Sequence, residues 1–327
     1  MHREGWTTPM AWRYRAVLYL TACLVAGCAL RTPPPRLDSL PLSTTRGAEL
    51  HGKIVALATQ QVLEFETFVT AVAAAQVIAF GEEHYHPDIQ AFALRLLQAL
   101  AQQRPQRVVL AMEFLERDMQ PALDAYLAGQ RDAATLQAEI KATPLFITHY
   151  FPLVQYAQQA RLPVLAMNAP RPLARRVSQE GLQAVLQRLS TAERAQLVVT
   201  TAPLTPAYRS YFLKAVAAAH PLPAEQLERF VEAAYVKDET MAESLVRWVE
   251  QYPDTTVLAI AGRFHVDYGL AIPAMLRQRQ PQVQLQRLTT MTVAADDMVD
   301  VPALHREDVA DYVWFTAPRP AEPKVAN

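Results

Sequence analysis

Val77-Ile78-Ala79-Phe80-Gly81-Glu82-Glu83-His84 and Val257-Leu258-Ala259-Ile260-Ala261-Gly262-Arg263-Phe264-His265 are the two stretches that decide how this chain folds. Each is a strand-like apolar run ending in a glycine, with an imidazole three positions later. A strand without polar alternation is buried on both faces, as in a parallel sheet covered by helices. Ligands of such sheets bind outside the carboxyl ends of the strands, so both motifs point to one functional edge. With nine Gly and eight His in the chain, random placement yields only about 0.2 Gly-x-x-His occurrences. Two occurrences, both after apolar runs, favour a shared site over two histidines that merely fill turns.

Further strand candidates lie at Val108 to Met112, Val164 to Met167 and Val283 to Leu288, alternating with helix-like stretches. The expectation is an α/β fold: a mostly parallel central sheet with helices on both faces and a helical insertion. Apolar spacing of three and four predicts helices over Gln60 to Gln76 and Asp88 to Gln102, with Pro87 at a first-turn position of the second. The first motif thus leads into a helix amino terminus, where free backbone N–H groups favour anions. A helical stretch from about Pro206 to Gln251, broken by Pro221 and Pro223, reads as a lobe or lid.

Residues 1–27 read as a lipoprotein signal peptide. Arg3, Arg13 and Arg15 precede the apolar run Ala16 to Gly27, which is too short for a stable membrane span. Val25-Ala26-Gly27-Cys28 resembles a bacterial lipobox and makes Cys28 the expected lipidation site, with Leu20-Thr21-Ala22-Cys23 the weaker match. Residues 28–45 then form a proline-rich tether and 46–320 a single domain, with 206–251 as its helical lobe. Ala rather than Asp at position 29 fits sorting to the outer membrane, facing the periplasm.

Both cysteines lie in that leader, so the folded domain has no thiol for a disulfide or a nucleophile. Any metal site must use nitrogen and oxygen. The balance of 31 basic and 32 acidic residues, without a basic run, excludes a nucleic-acid partner from the expectation. At 51% hydrophobic, the chain can bury a large core.

The strand at Val108 to Met112 ends in Glu113, bringing a carboxylate to the edge that carries Glu82 and His84. A salt bridge to Arg117 is the competing reading. The third strand ends in Asn168 with Arg171 close behind, an amide and a guanidinium suited to an anionic group. His86 reads as a solvent-facing turn residue or a second ligand. His149 reads as part of an aromatic loop packing on the core or as lining a ligand slot, and His51, His220 and His305 as surface residues. Asp238 reads as the start of a helix turn.

The run Gly-Glu-Glu-His at 81–84, Ala111-Met112-Glu113-Phe114 followed by Gln120, Met167-Asn168-Ala169-Pro170-Arg171, Lys237 to Ala242, and Ala261-Gly262-Arg263-Phe264-His265 followed by Gly269 and Ile272-Pro273 resembles the ChaN family of haem-binding lipoproteins. The resemblance covers most of residues 50–290. That family is grouped with the Tiki and TraB proteins, whose paired Gly-x-x-His motifs and intervening Glu are linked to metal-dependent proteolysis, and more loosely with erythromycin esterases. The resemblance implies an α/β fold, a membrane anchor and haem binding connected with iron acquisition. It also implies that His84, Glu113 and His265 form a metal or catalytic set, with Glu82 beside them. Haem ligands in the family include tyrosine, and Tyr85, Tyr150 and Tyr268 are the candidates because they adjoin motif residues.

Two uses of the constellation follow, with haem or a divalent metal ion as cofactor. A periplasmic peptidase or esterase would hold the ion on His84, Glu113 and His265, with Glu82 or Glu83 taking a proton from bound water. A haem protein would need an apolar slot, including one formed between two copies in a homodimer. A third reading makes the triad a structural hydrogen-bond network.

Overall fold

In the computed structural model, residues 41–198, 204–219 and 223–319 are described. The leader 1–27, Cys28, most of the tether and His220 lie outside them. Ten strands occur among the described residues: β1 (Thr44–Arg46), β2 (Ile54–Ala56), β3 (Gln61–Leu63), β4 (Val77–Glu82), β5 (Val108–Glu116), β6 (Val164–Asn168), β7 (Thr256–Gly262), β8 (Leu285–Thr292), β9 (Met298–Asp300) and β10 (Tyr312–Thr316). Eight of them form one sheet in the order β3-β2-β10-β8-β4-β7-β5-β6, while β1 and β9 pair separately. From β10 to β6 every pairing is parallel, and only the β2 and β3 edge is antiparallel.

Successive side chains of a strand point to opposite faces, and β4 shows both. Ile78 and Phe80 enter a core with Phe68, Leu96, Leu97, Leu100 and Val154, from the helices Phe65–Val72, Pro87–Gln103 and Phe151–Gln159. Val77 and Ala79 face Met241, Leu245 and Leu276, from the helices Ala224–Gln251 and Ile272–Arg279. The unbroken apolar runs are therefore apolar because helices cover both faces.

One expectation about the elements is corrected. Gln60 to Gln76 is not one helix: Gln60 takes a φ of 57° and Gln61–Leu63 pairs with β2. The helix begins only at Phe65, after the extended Glu64, and ends at Val72. The helices of the stretch expected as a lobe stand on the sheet through the second of them. The helices Pro206–Ala219 and Ala224–Gln251 share a small core of Tyr208, Phe212, Val231 and Tyr235, but the second continues until Met241 and Leu245 lie on the sheet. The strand β10, which extends the sheet beyond β8, is not foreseen in the sequence reading.

Among the described residues no helix is long and apolar enough to cross a membrane.

Candidate functional site

The two motifs meet because β4 and β7 are neighbouring parallel strands whose register sets Glu82 opposite Gly262. On the other side of β7, β5 pairs Met112 with Ile260, which carries Glu113 to the same edge. Gly262 is required for close approach. A Cβ there would lie 2.9 Å from Cε1 and 3.0 Å from Nε2 of His84.

His84 is held by Glu82. Its Nδ1 lies 2.5 Å from the carboxylate, which also accepts from the Tyr150 hydroxyl at 2.6 Å and from the Gln90 amide at 2.5 Å. An ionised carboxylate only accepts, so Nδ1 carries the proton. In the neutral ring Nε2 then keeps its lone pair, on a side chain that is 41% exposed. Burial acts to lower the His84 pKa, but the bond to Glu82 and the charge of Glu113 outweigh it and raise the value. Phe114 packs edge-on to the His84 ring at 4.9 Å and stacks on Tyr150 at 3.9 Å.

His265 sits in a different electrostatic setting. Its Nδ1 is 2.5 Å from Asp238, which accepts from the Tyr208 hydroxyl at 2.6 Å, and its Nε2 is 3.3 Å from Glu113. Glu113 also accepts from the Lys237 ammonium at 3.0 Å and from the Gly262 amide at 2.8 Å. Burial alone would lower the His265 pKa, yet Asp238 and Glu113 raise it to about 10. Burial would raise the Glu113 pKa, yet His265 and Lys237 hold it well below the carboxylate range. Lys237, Glu113, His265 and Asp238 therefore form a chain of alternating charge.

The sequence-predicted set is brought together at one edge but divided in use. Asp238 and Glu113 favour the protonated form of His265, whereas a metal ligand must be deprotonated. Glu113 is neutralised by Lys237 rather than by Arg117, whose guanidinium binds Ser244 and Glu243. Among the described residues no group of three or more His, Cys, Asp or Glu side chains is arranged to hold a metal ion. The residues present do not fit a divalent ion.

The three tyrosines fare differently. Tyr150 is fully buried with its hydroxyl donating to Glu82, so it presents no oxygen to a ligand. Tyr85 is half-buried between Phe114 and His149. Tyr268 follows His265 in a turn with φ 60°, and its amide donates to Val309 O. It lines a cleft of about 820 Å³ with Ala207, Tyr211, Lys214, Phe264 and Leu270. Burial, then Asp267, raises the pKa of both Tyr211 and Tyr268. Glu83 is engaged by the Thr292 hydroxyl.

Other assignments change. His86 is buried and bonds Ala317 O at 3.0 Å, so it is no solvent-facing turn residue. Asp238 lies in the middle of the helix Ala224–Gln251, not at a helix start. Lys237, Asp238 and Tyr208 are site residues whose roles the sequence reading missed. A signal existed for one. Val231, Tyr235, Asp238, Ala242, Leu245 and Val249 follow helical spacing and are all buried. A carboxylate on an apolar stripe is costly without a partner.

A family profile described as haem-binding uptake, Tiki superfamily, ChaN matches residues 68–276, which include both motifs. The fold is similar to that of Campylobacter jejuni ChaN, solved with cofacially bound haem, at TM-score 0.63 and 20% identity over 80% of this chain and 95% of that one. At that identity the likeness shows the fold alone. Weaker likenesses are a mutant erythromycin esterase EreC in its open conformation (TM-score 0.44, 14% identity, 77% of each chain) and the type III effector HopBA1 (TM-score 0.43, 12% identity, 86% of this chain and 98% of that one). A comparison with curated protein sequences gave no match. The profile spans well over half of the chain, and the chain belongs to the ChaN family of haem-binding uptake proteins in the Tiki superfamily.

Proposed function

We propose that this protein binds haem as part of haem or iron uptake, anchored through Cys28 to the outer membrane and facing the periplasm. The observation that carries the reading is the cleft beside the second Gly-x-x-His motif. Its lining supplies what a porphyrin needs: apolar walls from Ala207, Phe264 and Leu270, two phenols from Tyr211 and Tyr268, and the Lys214 ammonium for a carboxylate. Phe264 is 50% exposed and joins Tyr211 and Tyr268 in one aromatic patch.

Tyr268 is the proposed iron ligand, with Tyr211 packed edge-on to it at 5.4 Å. Bound haem would supply a ferric centre able to take a phenolate, together with two propionates. The residues of this chain do the rest. The ion pair of Arg263 with Asp267, at 2.8 Å, and the bond from Thr289 to Asp267 at 2.5 Å hold the turn that carries Tyr268. The Gly-x-x-His, Glu113, Gly-x-x-His constellation forms the ordered polar centre from which that turn starts.

The test is the haem content of protein isolated from cells grown with haemin, measured as the pyridine haemochrome. A fixed haem-to-protein ratio is expected, and haem-free protein from haem-replete cells contradicts the proposal. Replacing Cys28→Ser is expected to release the protein from the membrane fraction.

A further inference from the structure

A second cleft, of about 380 Å³, opens at Glu113. Glu113 and Lys237 line it, with Phe114 and Phe230 as aromatic walls, and Arg171 and Arg175 come from the helix Arg171–Glu180. We propose that this cleft is a binding site for a small amphipathic carboxylate, separate from haem.

Charge is the first argument. Lys237, Arg171 and Arg175 face two carboxylates, Glu113 and Glu116, and both are already engaged. Glu113 accepts from Lys237, His265 and the Gly262 amide. Glu116 accepts from the Arg171 amide at 2.6 Å and pairs with its guanidinium at 3.2 Å. The ion pairs among the described residues do not use Arg175, and the Arg171 side chain is 72% exposed. The lining thus carries one more cation than anion, and arginine forks match a carboxylate in two-point geometry.

Shape is the second. Phe230 is 38% exposed and stands in the same cleft as Phe114, so an apolar body has aromatic surfaces to rest on while its anionic end meets the arginines. The volume is less than half that of the haem cleft and falls at the small end of ligand pockets, which run from about 300 to 1,000 Å³. It suits a body of about one ring or a short alkyl chain. The Asn168 amide donates to Glu113 O at 2.9 Å and its oxygen accepts from the Ala169 amide at 2.8 Å. It is a fixed wall rather than a ligand contact.

The test is a calorimetric titration of the haem-free protein with benzoate, benzamide and acetate, for the unchanged protein, Arg175→Ala and Phe230→Ala. Saturable benzoate binding is expected, weakened about tenfold by Arg175→Ala. Benzamide is expected not to bind, and Phe230→Ala to weaken benzoate more than acetate. Unchanged thermal midpoints establish that both surface variants fold. No saturation with benzoate up to concentrations on the order of 10 mM, equal binding of benzamide, or an isotherm indifferent to Arg175→Ala would overturn the proposal. Haemin distinguishes a free carboxylate from a haem propionate as the occupant. A benzoate isotherm that persists with haemin present supports a separate site, and competitive displacement overturns the separation. Because the titration uses haem-free protein, failure of the haem reading leaves its result intact.

Discussion

His265 Nδ1 and Asp238 Oδ1 stand 2.5 Å apart, although one lies in the turn after β7 and the other in the middle of a long helix. Both are buried, so each charge depends on the other. Asp238→Asn keeps the shape and removes the charge. Stability in urea is expected to fall by about 3 kcal/mol, the scale for breaking a buried pair. The His265 pKa, followed by NMR, is expected to drop from about 10 toward the ordinary value. An unchanged imidazole titration would contradict the alternating charge chain.

The same chain predicts a pH window for stability. The folded pKa of His265 is raised to about 10 from an ordinary 6.5. Its stabilising contribution is therefore full below about pH 6.5 and is lost as pH rises toward 10. The folded pKa of Glu113 is depressed well below 4.5, so its contribution is full above about pH 4.5 and is lost as acid titrates the folded carboxylate. Thermal midpoints measured against pH are expected to be highest between those limits and to fall on the alkaline side. In His265→Gln the alkaline decline is expected to flatten.

Gly262→Ala tests the packing of the two motifs. The added methyl would sit 2.9 Å from His84 Cε1, with the ring held from behind by Glu82. Overpacking of this kind costs about 1–3 kcal/mol. Urea unfolding is expected to show that loss, together with a displaced His84 resonance. Wild-type stability would mean that the imidazole moves aside freely.

Tyr150→Phe removes one of the donors to Glu82 and leaves Gln90 and His84. The expected loss is about 1–2 kcal/mol. With the carboxylate charge less shared, the His84 pKa should rise further, which NMR titration reads directly. Haem affinity is expected to be retained, because Tyr150 presents no oxygen to a ligand.

The strands that carry the site were legible because burial on both faces leaves an uninterrupted apolar run, as in Val77 to Phe80 and Val257 to Ala261. The edge was harder. Gln61–Leu63 is a three-residue strand within a segment whose apolar spacing also suits a helix, and only the pairing with β2 decides between them. Strand β10 is defined by its partners β2 and β8, neither of them adjacent to it in sequence. At the site, the glycine and histidine positions could be read from spacing. The division of labour could not, since it depends on Asp238 reaching His265 and Lys237 reaching Glu113 across the fold. Tyr150 was a candidate ligand through the family resemblance and its place beside motif residues. Its burial against Glu82 is a tertiary fact.

The most direct test of the central claim is a visible-absorbance titration of the purified protein with haemin, set beside Tyr268→Phe, His84→Ala and Tyr85→Phe. Haem bound in the cleft of Tyr211, Phe264 and Tyr268 predicts a Soret shift that saturates at a fixed ratio in the unchanged protein. It further predicts that Tyr268→Phe loses the ligand signature while Tyr85→Phe keeps it. A shift that never saturates, or one identical in Tyr268→Phe and the unchanged protein, would contradict it.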